Sequence, residues 1–217
     1  MTRIVIIGAS GLIGQQAAEL LAATGAEVHA LLRRPTENGQ SGIITQIARG
    51  DEWPEMISGM SPDIAISCLG TTMRAAGSRD AFRAVDHDLV LAFAKAARDA
   101  GARHMISVSS TGAMPASSSF YLRIKAEAEE GLRMLNFDRL DIIRPGLLTG
   151  GTRSDNRPGE LLGIMLAPLT DMLMLGPLAR YRSTPAAKVA QAIAALSKCI
   201  GKGRFIHEND SINALAG

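Results

Sequence analysis

The chain has 217 residues, 47% of them hydrophobic and 20% charged, with a formal net charge of +2. That is ordinary globular composition at the size of one α/β domain, long enough to bury about 70% of the surface its unfolded chain exposes. The near-neutral balance, with no basic run carrying interleaved aromatics, gives no electrostatic case for nucleic acid. No run of about 18 uncharged apolar residues offers a membrane span.

In chain order, short β-branched runs alternate with amphipathic stretches. Arg3 leads into Ile4–Ile7, the first expected strand, which starts too close to the N-terminus for a signal segment. Leu12 to Ala23 reads as a helix closed by Gly25, followed by strands over Glu27–Leu32 and Gly42–Ile47. Asp63–Cys68 is the fourth strand, and one long helix is expected from about Ser78 to Ala100, ending at Gly101. Arg103–Ser109 is the fifth strand, Ser119–Leu135 a helix, and Leu140–Arg144 a sixth strand stopped by Pro145-Gly146. The rhythm then breaks over residues 151–183, rich in Gly, Pro, Met and Leu, before a clear helix over Pro185–Ile200. Alternation of this kind belongs to an α/β protein with a doubly wound parallel sheet, helices on both faces and a small C-terminal extension, the Rossmann arrangement.

The first strand and helix are joined by Gly8-Ala9-Ser10-Gly11-Leu12-Ile13-Gly14. Gly8 lets the chain turn sharply, Gly11 lets backbone approach a pyrophosphate, and Gly14 lets the helix pack close to the sheet. The helix start, at Leu12 and Ile13 beside Ser10, then offers free N–H groups and a partial positive charge to phosphate. A nicotinamide dinucleotide is the expected cofactor, on a single binding domain over 1–217 in which residues 146–185 form a small substrate or lid region. After the second strand, where a carboxylate would accept the ribose hydroxyls of NAD(H), stand Arg33 and Arg34. Two guanidiniums suit a 2′-phosphate, so NADP(H) is preferred, with NAD(H) as the alternative. Arg33 is favoured because it comes first, and two solvated loop charges are the plainer reading.

Tyr121 and Lys125 stand four apart on an expected helix and so share a face. A neighbouring ammonium favours a phenolate, and such a pair can move a proton to or from a carbonyl or alcohol. The plainer alternative is a half-buried tyrosine beside a surface lysine paired with Glu129. Ser109-Ser110 ends the fifth strand, where ligands of open α/β sheets bind, and Ser110 is favoured over Ser109 as the anchor of the reacting oxygen.

The glycine loop, the two serines and the Tyr121/Lys125 pair resemble the short-chain dehydrogenase/reductase superfamily, in its atypical and extended branches. Cys68-Leu-Gly-Thr-Thr72, Val85-Asp86, Phe120-Tyr121-Leu, Phe137-Asp138-Arg139, Arg144-Pro-Gly146 and Arg157-Pro-Gly-Glu160 are similar to its Tat-interacting oxidoreductase-like group, over about residues 3 to 195. The resemblance implies NADPH binding and a reductase-type site. It places Leu69 and Gly70 along the cofactor, Leu148 near the nicotinamide end, and Arg157 at the cofactor or substrate. Where that superfamily often has an asparagine in the long helix, this chain has Asp86-His87-Asp88.

Cys68 and Cys199 form no disulfide framework, and a reduced, cytoplasmic setting is expected. Of the histidines only His87 is placed near the cleft; His29, His104 and His207 read as structural or surface, with no metal-ligand spacing. The Met-rich stretch 161–178 reads as core, as an adaptable wall for a hydrophobic small-molecule substrate, or as a dimer surface, the chain being a monomer or homodimer. Three functions follow in order: an NADPH-dependent oxidoreductase of a small carbonyl or alcohol, a non-enzymatic NADP(H) sensor, and a nicotinamide-retaining epimerase or dehydratase.

Overall fold

The computed structural model describes residues 1–35, 42–150 and 176–217. In chain order the elements are β1 (Arg3–Ile7), α1 (Leu12–Ala23), β2 (Glu27–Leu32), β3 (Ile43–Ile47), α2 (Trp53–Ser58), β4 (Ile64–Ser67), α3 (Met73–Ala76), α4 (Arg79–Arg83) and α5 (Leu89–Asp99). They continue with β5 (His104–Val108), α6 (Phe120–Met134), β6 (Arg139–Ile143), β7 (Leu148–Thr149), β8 (Thr184–Pro185), α7 (Ala186–Leu196), β9 (Gly203–His207) and α8 (Asn209–Ala216). Among the described residues no helix is long and apolar enough to cross a membrane.

Seven strands form one parallel sheet in the order β3-β2-β1-β4-β5-β6-β9, the Rossmann arrangement extended by one strand. Strand β1 is buried on both faces, and its alternation divides the core. Ile4 and Ile6 join α1, α7 and Ile212 of α8 in one cluster; Val5 and Ile7 join Trp53, Phe93 and Leu132 in the other. On the first of these faces, near the sheet edge, a polar group replaces the apolar pattern. Asp141 of β6 is fully buried and meets Nε2 of His104 and of His207, each at 2.7 Å, with the Arg139 guanidinium on the same carboxylate. Burial raises the Asp141 carboxyl, but the bonds from His104, His207 and Arg139 outweigh it and hold the group well below the usual carboxylate range.

Two departures from the expected elements matter. The long helix expected over Ser78 to Ala100 runs unbroken from Arg79 to Asp99 but is not uniformly α: α4, capped by Ser78 Oγ accepting from the Ala81 amide, passes through a π turn at Ala84–Asp88 into α5. Phe82, Asp86 and Val90 are all buried, so the wider turn keeps residues four apart on the inner side. After α7, strand β9 and helix α8 add an edge and a cover that the sequence pattern did not announce. Strand β9 carries only Gly203-Arg-Phe-Ile-His207, three of whose side chains are exposed.

Candidate active site

The C-terminal ends of β1, β4 and β5 open on a cavity of about 780 Å³, within the range of small-molecule and cofactor sites. It lies over the seam between β1 and β4, where the direction of winding reverses.

One wall is the turn from β1 into α1. Gly8 has φ +77°, and a Cβ there would stand 2.6 Å from the Cys68 carbonyl, so the site demands glycine twice over. A Cβ on Gly14 would lie 2.2 Å from the Gly8 carbonyl oxygen. That oxygen accepts the Gly11 amide at 2.9 Å, and no side chain caps the start of α1. The first amides of the helix are therefore open to a ligand along Ser10, Gly11, Leu12 and Ile13, which line the cavity. A dinucleotide diphosphate fits this cradle.

The loop after β4 brings Leu69, Gly70, Thr71 and Thr72 to the cavity beside Cys68, whose thiol burial pushes up to about 12 and so keeps neutral. From the far side come Ser110 and Thr111, the α6 residues Tyr121 and Lys125, and Leu147, Leu148 and Tyr181.

Tyr121 stands in the first turn of α6, its ring centroid 5.6 Å from that of the fully buried Phe82. Lys125, one turn on, is buried, with Nζ 2.7 Å from Asp86 Oδ1 and 3.5 Å from the Leu69 carbonyl. The Thr71 amide donates to the other Asp86 oxygen at 2.8 Å. Burial works against the Lys125 charge, but Asp86 above all, with Tyr121 and Glu129, lifts the ammonium above the usual lysine range. Glu129, a further turn on, is also buried. It accepts from Ser109 Oγ at 2.6 Å and from Arg144 Nε and Nη2 at 2.9 and 2.6 Å. That carboxylate in turn raises the Arg144 guanidinium above its ordinary value.

The cavity thus collects Ser10, Gly11, Leu12, Ile13, Leu69, Gly70, Ser110, Tyr121, Lys125 and Leu148 of the residues expected from the sequence. Gly8 and Gly14 shape its wall from behind. Arg33 and Arg34 are exposed beyond the end of β2 and do not line it. Arg157 and most of the Met-rich stretch lie outside the described residues. Lys125 is a buried residue paired with Asp86, not a surface lysine paired with Glu129. His87 turns instead to Asp88, with Nδ1 2.7 Å from Oδ1. Thr71, Thr111 and Tyr181 escaped the sequence reading because loop hydroxyls and a tyrosine in a Gly/Pro-rich stretch carry no spacing signal.

Residues 4–132 match the model of the NAD dependent epimerase/dehydratase family. The protein fmp52, mitochondrial, of Emericella nidulans is 38% identical over 176 residues, covering 77% of this chain and 75% of that protein. The same name, with its mitochondrial location, recurs among Aspergillus and Scheffersomyces relatives, and it overturns the cytoplasmic setting expected from the unpaired cysteines. Free thiols and the lack of a disulfide framework do not distinguish between reducing compartments. Among solved structures, the Bordetella bronchiseptica enzyme WbmH in complex with NAD+ superposes with a TM-score of 0.70 at 14% identity, over 96% of this chain and 76% of that one. The human epimerase family protein SDR39U1 with NADPH gives 0.64 at 20%, over 95% and 74%. Both share the fold, and one was solved with each form of the nicotinamide cofactor. The family match favours the epimerase or dehydratase reading, which the sequence had placed third.

Proposed function

The chain belongs to the NAD dependent epimerase/dehydratase family, and from the arrangement of its site residues we propose that it reduces a small carbonyl compound, or oxidises the corresponding alcohol, with NADP(H). The observation that carries the reading is the convergence of Ser110, Tyr121 and Lys125 on the cavity that begins at the Gly8–Gly14 turn. The bound nicotinamide supplies or accepts the hydride. Ser110 hydrogen-bonds the reacting oxygen of the substrate, and the Tyr121 phenol donates its proton to that oxygen in reduction and receives it in oxidation. Phe82 packs against the Tyr121 ring, and the Lys125 ammonium favours the phenolate as it forms. The amides at the start of α1 would hold the diphosphate, and the exposed guanidiniums just past the end of β2, Arg33 and Arg34, would favour a cofactor carrying a 2′-phosphate. Leu147, Leu148 and Tyr181 give the substrate end an apolar side that suits a hydrophobic molecule.

The test is turnover of a panel of aldehydes and ketones with NADPH and with NADH. Tyr121→Phe is expected to lose turnover by about 10²- to 10⁴-fold while keeping cofactor affinity. Reduction of none of the panel, with cofactor bound, overturns it in favour of a sensor. The family match over residues 4–132 favours a second reading, in which the nicotinamide is oxidised and reduced within one catalytic cycle, as an epimerase or dehydratase requires. Tightly co-purifying cofactor, with substrate conversion and no net change in nicotinamide absorbance, selects that reading.

A further inference from the structure

The π turn delivers a carboxylate to a place where the proposed chemistry needs only a lysine. Asp86 and Lys125 are both buried, and their charged atoms are 2.7 Å apart. The second Asp86 oxygen accepts the Thr71 amide, and Lys125 reaches the Leu69 carbonyl, so one ion pair ties the π turn, α6 and the loop after β4 together at the cavity wall. The other groups around the ammonium are already committed or uncharged. Tyr121 and Glu129 face it from α6, but Glu129 is engaged by Arg144, Arg133 and Ser109. His87 pairs with Asp88, and Cys68 on the β4 side is a neutral thiol. Asp86 is therefore the anion that keeps a charge on a lysine that burial would neutralise.

We propose that Asp86 is a positioning residue of this site: it holds Lys125 as an ammonium and pins the Leu69–Thr72 loop against it, and Tyr121 works beside that fixed pair. The inference rests on the proposed function for its catalytic meaning, but not for its physical content. Removing the carboxylate charge leaves a buried cation without its paired anion, held only by the Leu69 carbonyl and the field of Glu129, and burial then draws its proton off below the ordinary lysine range.

The experiment is competitive acetylation of the cofactor-free protein across a pH series, with the Lys125 and Lys202 peptides quantified by mass spectrometry. Lys202, at the surface, is the internal reference. In the parent, Lys125 is expected to react only at higher pH than Lys202; in Asp86→Asn its reactivity should rise at lower pH than that of Lys202. An unchanged order of reactivity overturns the proposal. Asp86→Ser, which keeps a hydroxyl for the Thr71 amide, gives the same measurement if Asp86→Asn does not fold. Once a substrate is in hand, the alkaline limb of the kcat profile should move to lower pH in Asp86→Asn, and a uniform loss at every pH overturns the assignment. Acetylation is read without cofactor or substrate, so a protein that shows the shift and reduces no carbonyl refutes the proposed function alone. A protein that reduces carbonyls without the shift refutes the positioning role alone.

Discussion

The Ser109 hydroxyl is bonded to the buried Glu129 carboxylate at 2.6 Å, whereas its neighbour Ser110, half-buried at the cavity, makes only a long 3.4 Å bond to the Thr111 carbonyl and is the hydroxyl better able to turn to a ligand. Two adjacent serines should therefore respond oppositely to the same change. Ser109→Ala removes a hydrogen bond to a charged group and is expected to cost about 1.5–3 kcal/mol of stability. Ser110→Ala should leave the melting temperature nearly unchanged and lower kcat/KM for the reduced carbonyl. Thermal denaturation beside steady-state kinetics checks both; loss of stability at Ser110 would reverse the assignment.

Gly14 tolerates no side chain, because the nearest obstacle to a Cβ is the backbone oxygen of Gly8, at 2.2 Å. Backbone cannot swing aside as a long side chain can. Gly14→Ala is expected to destabilise the fold by about 1–3 kcal/mol, as overpacking does, and to weaken cofactor binding by shifting the start of α1. Denaturant unfolding and fluorescence titration with NADPH read the two effects together.

On the proposed reading Arg33 discriminates between cofactors. Arg33→Ala should lower NADPH affinity by about tenfold or more, the worth of one hydrogen bond to a charged group, and leave NADH affinity nearly unchanged. Calorimetric titration with each cofactor measures the ratio. Equal losses for both would mean that Arg33 is a solvated charge.

Asp141 gives the protein an acid sensitivity of known sign. Its folded carboxyl is held below the range of the unfolded chain, chiefly against the cost of burial, by His104, His207 and Arg139. Its contribution is fully present above about pH 4, where the unfolded carboxylate is also ionised, and is lost as pH falls from there toward the folded value. Asp141→Asn should be less stable at neutral pH by roughly 3–5 kcal/mol and show a flatter loss of stability below about pH 4. Urea unfolding at a series of pH values provides the comparison, and parallel curves for the two proteins would refute it.

The legible parts of this molecule are those fixed by local pattern. Leu12–Ala23 was readable to the residue because Gly8 and Gly11 precede it, Gly25 follows it, and its apolar spacing is helical. Tyr121 and Lys125 were readable because four residues of one helix set their relation. The partner of Lys125 was not, since Asp86 reaches it only through a π turn, and a wider turn leaves no mark in a continuous helical pattern. The departure from asparagine at that position was visible in the sequence, but its consequence depends on tertiary packing. Strand β9 and helix α8 were missed for a different reason. The strand is an edge with exposed side chains, and the eight-residue helix begins Asn209-Asp-Ser, so neither carries a long apolar period.

The seam between β1 and β4 also has a mechanical consequence. The two sides of the sheet meet there at β1 beside β4, with α1 packed on α7 across the join. A dinucleotide laid across their C-terminal ends is a clasp as well as a reagent, and its binding free energy adds to the work of pulling the halves apart. At a hundredfold excess over its dissociation constant that addition is about 2.7 kcal/mol. A thermal melt with and without NADPH is expected to show that increment as a rise in the unfolding midpoint.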